Sequence, residues 1–506
     1  MEGRGLKRLG LFFRQMIMMI KVLFLIALSS CSSNEQRYRV TSIPWVESLN
    51  KDLGAELERD AEALLIKLIR AKSVNPMGHE DLVVELIAEA LDELGIQSKR
   101  QQLSPGRSNL YALLKPKSPI ADQKGALCLL SHSDVVPAES SEWTQDPWSG
   151  AVHEGYIWGR GALDMKGITA IHIASLRAIK RALDSDLIHL KRPVALIVVA
   201  DEEVDNIGMS RLVKERWEQL KCSHVLNEGG YGIKDMLFKG QDVVPISVGE
   251  KGVLWVKLVV KGPSGHGSVP RSIYAPKILL DALERIRSHQ SEVLISEPIR
   301  EILGLIGQDY GGLKGLVLQS ELLTDWFALK ELLSLPESAA GVTNTFHITG
   351  LNAAQGKPNV VPSEATATLD IRMLAGISPQ DVLAELKAII NDSRVKIEVI
   401  HSIASDLSPW KEDEVFRALI RHSKAAFPKS VIGPVTSVGF TDSTYARKVG
   451  ARAYGWAPFM LSREELTTMH GADERLSIEQ LHIGVRAMLG VLLETSSSPK
   501  EKPTER

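Results

Sequence analysis

ALCLLSHSDVV, residues 126–136, begins as an apolar run and ends in a histidine and an aspartate two positions apart. A short continuous apolar run with polar flanks reads as a strand buried on both faces. At the end of such a strand, residues i and i+2 point the same way, so the Asp134 carboxylate is expected beside the His132 imidazole. That neighbour would fix the ring's tautomer and leave its other nitrogen free for a metal. Taken alone, His-x-Asp reads more readily as a polar turn, and the rest of the chain has to outweigh that reading.

The surroundings of this strand are those of an α/β domain. DAEALLIKLIRA (60–71) and DLVVELIAEALDEL (81–94) carry apolar residues at helical spacing, and PVALIVVA (193–200) is a second short β-branched run. Alternation of this kind over about 55–245 predicts a mostly parallel sheet flanked by helices. From residue 250 the texture changes. GVLWVKLVVKG (252–262) is a strand with no crossover helix before it, and YAPKILLDALERIRS (274–288) is an amphipathic helix. In ATATLDIRML (365–374) apolar residues alternate strictly with Thr366, Thr368, Asp370 and Arg372. SPQDVLAELKAIIND (378–392) opens with Ser378 as N-cap and Pro379 at the first helical position. The order predicts a small α+β unit over 250–405 inserted into the α/β domain, with residues 290–340 as extra helical and loop material inside it. The α/β domain is therefore expected in two parts, 55–249 and 406–496.

The amino terminus reads as targeting material. Arg4, Lys7, Arg8, Arg14 and Lys21 precede VLFLIALSSC, an apolar core of signal-peptide length. The ending resembles a bacterial lipoprotein signal, which implies a signal over 1–31 and a lipid anchor at Cys31, the chain's contact with a membrane. Residues 32–54 are expected to be a tether and 497–506 a disordered tail. At 506 residues the chain is long enough for more than one core, with 44% apolar and 24% charged residues and a formal net charge of −2. That balance points away from nucleic acid as a partner. Three cysteines, Cys31, Cys128 and Cys222, exclude a disulfide framework without excluding an oxidising compartment.

Four further stretches favour chemistry at His132. GRGALDMKG (159–167) places Asp164 in a glycine-rich turn before a helix. VVADEEVDNIG (198–208) puts Asp201, Glu202 and Glu203 at the carboxyl end of an apolar strand, the edge where open α/β sheets bind ligands. VLNEGGYG (225–232) repeats that design at Glu228, and TTMHGADER (467–475) contributes His470. Carboxylates beside buried strands are costly unless a metal or hydrogen bonds compensate them. Two neutral histidines and three carboxylates balance two divalent cations and one bridging hydroxide, and such donors suit zinc.

In this order and with this insertion, the set resembles the M20 family of metallopeptidases and amidohydrolases, closest to the branch of carboxypeptidase S and N-fatty-acyl amino acid synthase/hydrolase. The resemblance covers about 55–495. It implies two Zn²⁺ per chain, with Co²⁺ or Mn²⁺ as substitutes. His132, Asp164 and Glu228 would hold one ion and Asp164, Glu203 and His470 the other, with a cis peptide after Asp164. It further implies Glu202 as general base, Asp134 orienting His132, and His266 of KGPSGHGSVP (261–270) stabilising the oxyanion, often in a partner subunit's site. Asn359 and Arg372 of NVVPSEATATLDIR (359–372) would bind substrate, Arg372 by gripping its carboxylate, and Asp442 falls in a further substrate loop, GFTDSTYAR (439–447).

The implied enzyme is a zinc-dependent hydrolase that cleaves an amide or peptide bond next to a free carboxylate. Small peptides and N-acyl amino acids both satisfy that description, and a homodimer through the lid is a further implication. The branch usually has Asp-Glu-Gly where this chain has Asn227-Glu228-Gly229, which leaves position 227 or 228 as ligand. Asn227 also keeps open an alternative, a catalytically silent peptide-binding lipoprotein with a degenerate metal site.

Overall fold

The computed structural model describes residues 41–325, 329–353 and 358–500. The opening strand forms as expected, spanning Ala126–His132 and buried at every position. Its neighbour Val194–Val199 is equally buried. Both lie inside an eight-stranded sheet ordered Ser98–Ser104, Arg107–Leu114, Val194–Val199, Ala126–His132, Cys222–Ile233, Arg452–Leu461, Val243–Glu250 and Val431–Ser437. The central pairings are parallel, while Ser98–Ser104, Arg107–Leu114 and the junction at Gly455 and Ser247 are antiparallel. The fold is thus α/β with a large mixed sheet, parallel at its centre. Helices Pro44–Arg70, Lys166–Asp184 and Ile478–Ser496 pack together over one face. Helix Ile207–Leu220 covers the other with Met209, Leu212 and Trp217. Burial from both sides explains why these strands are continuously apolar rather than alternating.

The inserted unit is a four-stranded antiparallel sheet ordered Thr345–Asn352, Glu364–Met373, Gly252–Lys261 and Val395–Ile403. Ala365, Ala367, Leu369, Ile371 and Met373 face helices Ala275–Ser288 and Pro379–Ile390 in a separate core. The Ser378 hydroxyl caps the second helix by accepting from the Asp381 N–H. The polar positions of the same strand occupy the opposite face.

Several boundaries differ from expectation. The first helix begins at Pro44, inside the expected tether of 32–54, with proline in its first turn. The extra material at 290–340 packs against the catalytic sheet: Ile302, Leu303 and Ile306 of helix Glu297–Tyr310 meet Val243 and Val431. It covers the outer strand, whose exposed edge would otherwise be a liability. The expected disordered tail starts as a strand, Ser497–Pro499, paired antiparallel with Ile188–Leu190. Cys128 and Cys222 form a disulfide between adjacent strands, a single bridge that the cysteine count did not reveal. The expected signal over 1–31 with its Cys31, and residues 32–40, lie outside the described residues, as do 501–506. Among the described residues, no helix is long and apolar enough to cross a membrane.

Candidate metal centre

Three neighbouring parallel strands deliver their carboxyl ends to one side of the sheet. His132 closes the first, Glu202 and Glu203 follow the second, and Glu228 lies on the third. Asp164 enters from the turn before helix Lys166–Asp184, across a cis peptide to Met165. His470 comes from the loop after helix Arg463–Thr468, in a left-handed conformation at φ 59°.

These side chains meet. His132 Nε2 lies 3.0 Å from Asp164 Oδ1 and 3.7 Å from Glu228 Oε1. His470 Nε2 lies 3.1 Å from Asp164 Oδ2 and 3.2 Å from Glu203 Oε1. Asp164 therefore turns one oxygen to each imidazole. Asp134 sits beneath this arrangement in a way the i, i+2 spacing described only in part. Its backbone carbonyl accepts from His132 Nδ1 at 3.0 Å, while its carboxylate is 3.6 Å from that nitrogen. The same carboxylate accepts the N–H groups of Glu202 at 3.1 Å and Glu203 at 3.0 Å. Asp134 thus ties the end of one strand to the turn after the next. Asp201 is turned elsewhere, to Arg107 at 2.8 Å.

Position 228 supplies the carboxylate that faces the cluster. The Asn227 amide points away and donates to Thr441 Oγ1 and Ser443 Oγ at 3.2 and 3.1 Å, as strand alternation requires of neighbours. Asp442 is buried nearby and accepts from Asn206 Nδ2 at 3.2 Å. A residue that the sequence reading missed is Glu474. Fully buried, it accepts from Arg160 Nη1 and from the N–H groups of Gly161, Leu163 and Asp164 at 2.6 to 3.1 Å. It clasps the turn carrying Asp164 to the loop carrying His470. Its only sequence signal was an acid four residues after that histidine.

The lid residues divide. Arg372 lines a cavity of about 510 Å³ together with Glu202, Glu203 and His470, and its guanidinium donates to Asp370 at 2.9 Å. His266 and Asn359 do not line that cavity. They sit on a separate two-stranded ribbon, where His266 is exposed and pairs with Ser268 Oγ at 2.8 Å, and the Asn359 carbonyl accepts from Gly267.

The residues present fit a cation site. His132, Asp164 and Glu203 each offer a ligand atom, and those atoms lie within 4.8 Å of one another, as do atoms of His132, Glu202 and Glu228. Glu203 Oε1 is buried and accepts no aligned hydrogen bond despite its proximity to His470. With protons as the only positive charge, burial pushes the Glu228 carboxyl up to about 8, helped by the Asp164 charge. Burial likewise raises Glu202 well above the carboxylate range, with Glu228 adding to it. Hydrogen bonds to Asp164 and Glu203 raise His470 to about 10. Asp164 is held low by both histidines in spite of its burial. Carboxylates driven toward neutrality beside imidazoles driven toward charge mark a place short of positive charge.

Comparison with known proteins agrees with this geometry. A family model described as peptidase family M20/M25/M40 matches residues 128–494. The human N-fatty-acyl-amino acid synthase/hydrolase PM20D1 is 29% identical over 370 residues, 71% of this chain and 72% of that protein. A probable carboxypeptidase S-like 2 of Dictyostelium discoideum is 28% identical over 379 residues, 73% and 71% of the two chains. The crystal structure of an M20 family metallo-carboxypeptidase, Sso-CP2 from Sulfolobus solfataricus, shares the fold with a TM-score of 0.65 at 21% identity, covering 86% of this chain and 99% of that one. The family match spans most of the chain and includes every residue of the cluster, so this protein belongs to peptidase family M20/M25/M40, a family of metal-dependent hydrolases.

Proposed function

We propose that this chain hydrolyses an amide or peptide bond next to a free carboxylate, as a carboxypeptidase, dipeptidase or N-acyl amino acid hydrolase. The observation that carries the reading is Asp164, whose two oxygens face His132 and His470 at 3.0 and 3.1 Å. That arrangement suits a carboxylate shared by two cations. His132, Asp164 and Glu228 would hold one and Asp164, Glu203 and His470 the other, and nitrogen and oxygen donors of this kind suit zinc. Bound there, divalent ions polarise a substrate carbonyl and make water acidic enough to give up a proton near neutral pH.

The chain's own groups do the rest. Glu202, left out of both ligand sets, lines the cavity beside them, and it accepts the proton of the attacking water and returns it to the leaving nitrogen. Arg372, on the far wall of the same cavity, holds the substrate's carboxylate. His266 is assigned to the carbonyl oxygen, with Asn359 beside it. Because neither lines the cavity of its own chain, both would serve the site of a second copy docked through the lid. The buried Cys128–Cys222 disulfide supports export into an oxidising compartment, as the lipoprotein-like signal also suggests. Asn227, the one feature favouring a silent binding protein, is a structural residue turned away from the cluster.

A panel of dipeptides and N-acyl amino acids, offered to metal-stripped and zinc-loaded protein, tests the proposal. Release of the carboxylate-bearing amino acid only from the zinc-loaded form is expected. No release from any member would overturn it.

A further inference from the structure

The cavity beside the cluster is lined on one side by the polar-patterned face of the lid sheet, and that face is not uniformly polar. Strand registers put His347, Asp370, Trp255 and His401 in one row across the four strands, and Val253 opposite Arg372 in the next. In the last strand the ladder slips. Trp255 pairs with His401 and Val256 with Val399, which leaves Ile400 unpaired between them. A bulge of this kind turns two consecutive residues toward the same side and is a common way to re-aim a side chain at a site. Here both Ile400 and His401 line the cavity, although strict alternation would have sent one of them to the helix side.

The result is an apolar wall. The His401 ring lies 5.4 Å from that of Trp255, Ile400 stands 57% exposed in front, and Phe440 and Val253 complete it. Asp370, in the same row of the sheet but not lining the cavity, is engaged by two of the residues that do. It accepts from Arg372 Nε at 2.9 Å and from the Trp255 indole at 3.1 Å, so it holds the guanidinium and the indole in fixed relation. A large isoleucine kept in water costs free energy that a bound apolar group would recover. The space, about 510 Å³, is that of a small-ligand pocket.

We propose that Trp255, Ile400, His401 and Phe440 form a subsite for a large apolar side chain, aromatic for preference, on the same residue whose carboxylate Arg372 holds. The proposal rests on the functional reading above for the role of Arg372, and it adds the class of residue accepted. Ile400 is its specificity-determining residue, placed there by the bulge.

Two measurements keep the subsite and the hydrolase reading separable. In the first, kcat/KM is compared for N-acetyl-phenylalanine, N-acetyl-glycine, N-acetyl-glutamate and N-acetyl-lysine. Phenylalanine should exceed glycine by at least about 30-fold, within the range a filled apolar pocket gives, and the charged residues should fall below it. Ile400→Glu should cut the phenylalanine-to-glycine ratio roughly tenfold. Val399→Glu, on the neighbouring residue outside the cavity, should leave the ratio unchanged. In the second, calorimetry follows binding of 3-phenylpropanoate, a carboxylate with an aromatic arm that needs no turnover. It should bind wild type more tightly than propanoate, and Ile400→Glu should remove the difference. Binding without hydrolysis of any substrate would sink the hydrolase reading and spare the subsite. Equal turnover of phenylalanine and glycine, preference for a charged side chain, or indifference of both measurements to Ile400→Glu would overturn it.

Discussion

Two glutamates separate chemistry from architecture at the scale of single residues. Glu202 is proposed to move a proton, whereas Glu474 touches no reacting atom and acts only by holding the Asp164 turn against the His470 loop. Their substitutions should therefore leave opposite signatures. Glu202→Gln is expected to keep its metal content and lose turnover by about a hundredfold or more. Glu474→Gln should weaken zinc binding by roughly 10- to 100-fold in chelator competition, as losses behind a ligand do, and excess zinc should restore part of its activity. A Glu474→Gln protein that loses only thermal stability would show a purely structural role. That these acids and histidines stand close together was foreshadowed in the sequence, because acids and histidines at the ends of apolar strands are expensive without a partner. Glu474 was not, since a buried acid paired to three N–H groups looks, in a sequence, like any surface glutamate.

At the scale of elements, the parallel strands bring the site together and the disulfide binds two of them. Cys128 lies four residues before His132, and Cys222 six before Glu228, on neighbouring strands. Closing a separation of 94 residues restricts the unfolded chain, so its loss should cost roughly 2–5 kcal/mol. Chemical denaturation with and without reductant, and of a Cys128→Ser variant, measures this. A reduced protein that unfolds at the same denaturant concentration would contradict it. Pairings of this kind are invisible to spacing, and so was the bulge at Ile400, which depends on how one strand meets another. The alternation of 365–374 and the Ser378 cap were readable because periodicity and capping are local.

Across the whole molecule, the insertion brings a second sheet over the carboxyl ends of the first, which is where the cavity forms. The change in sequence texture near residue 250 coincides with strand Gly252–Lys261, the first strand of that second sheet in chain order. The packing of the 290–340 helices on the outer catalytic strand was not readable in the sequence, because their apolar faces could have met either sheet. The isolated position of the His266 ribbon has a consequence at this scale. If His266 serves a second copy, His266→Ala and Glu202→Gln chains, each inactive alone, should recover activity when mixed and allowed to exchange; no recovery would place His266 in its own chain's site or outside the mechanism. The central claim is the shared carboxylate, and counting metal per chain tests it most directly. Elemental analysis of zinc-loaded protein should find two ions per chain in the wild type and a loss of both in Asp164→Asn, with the fold intact by circular dichroism. One ion or none in the wild type, or two retained by Asp164→Asn, would contradict it.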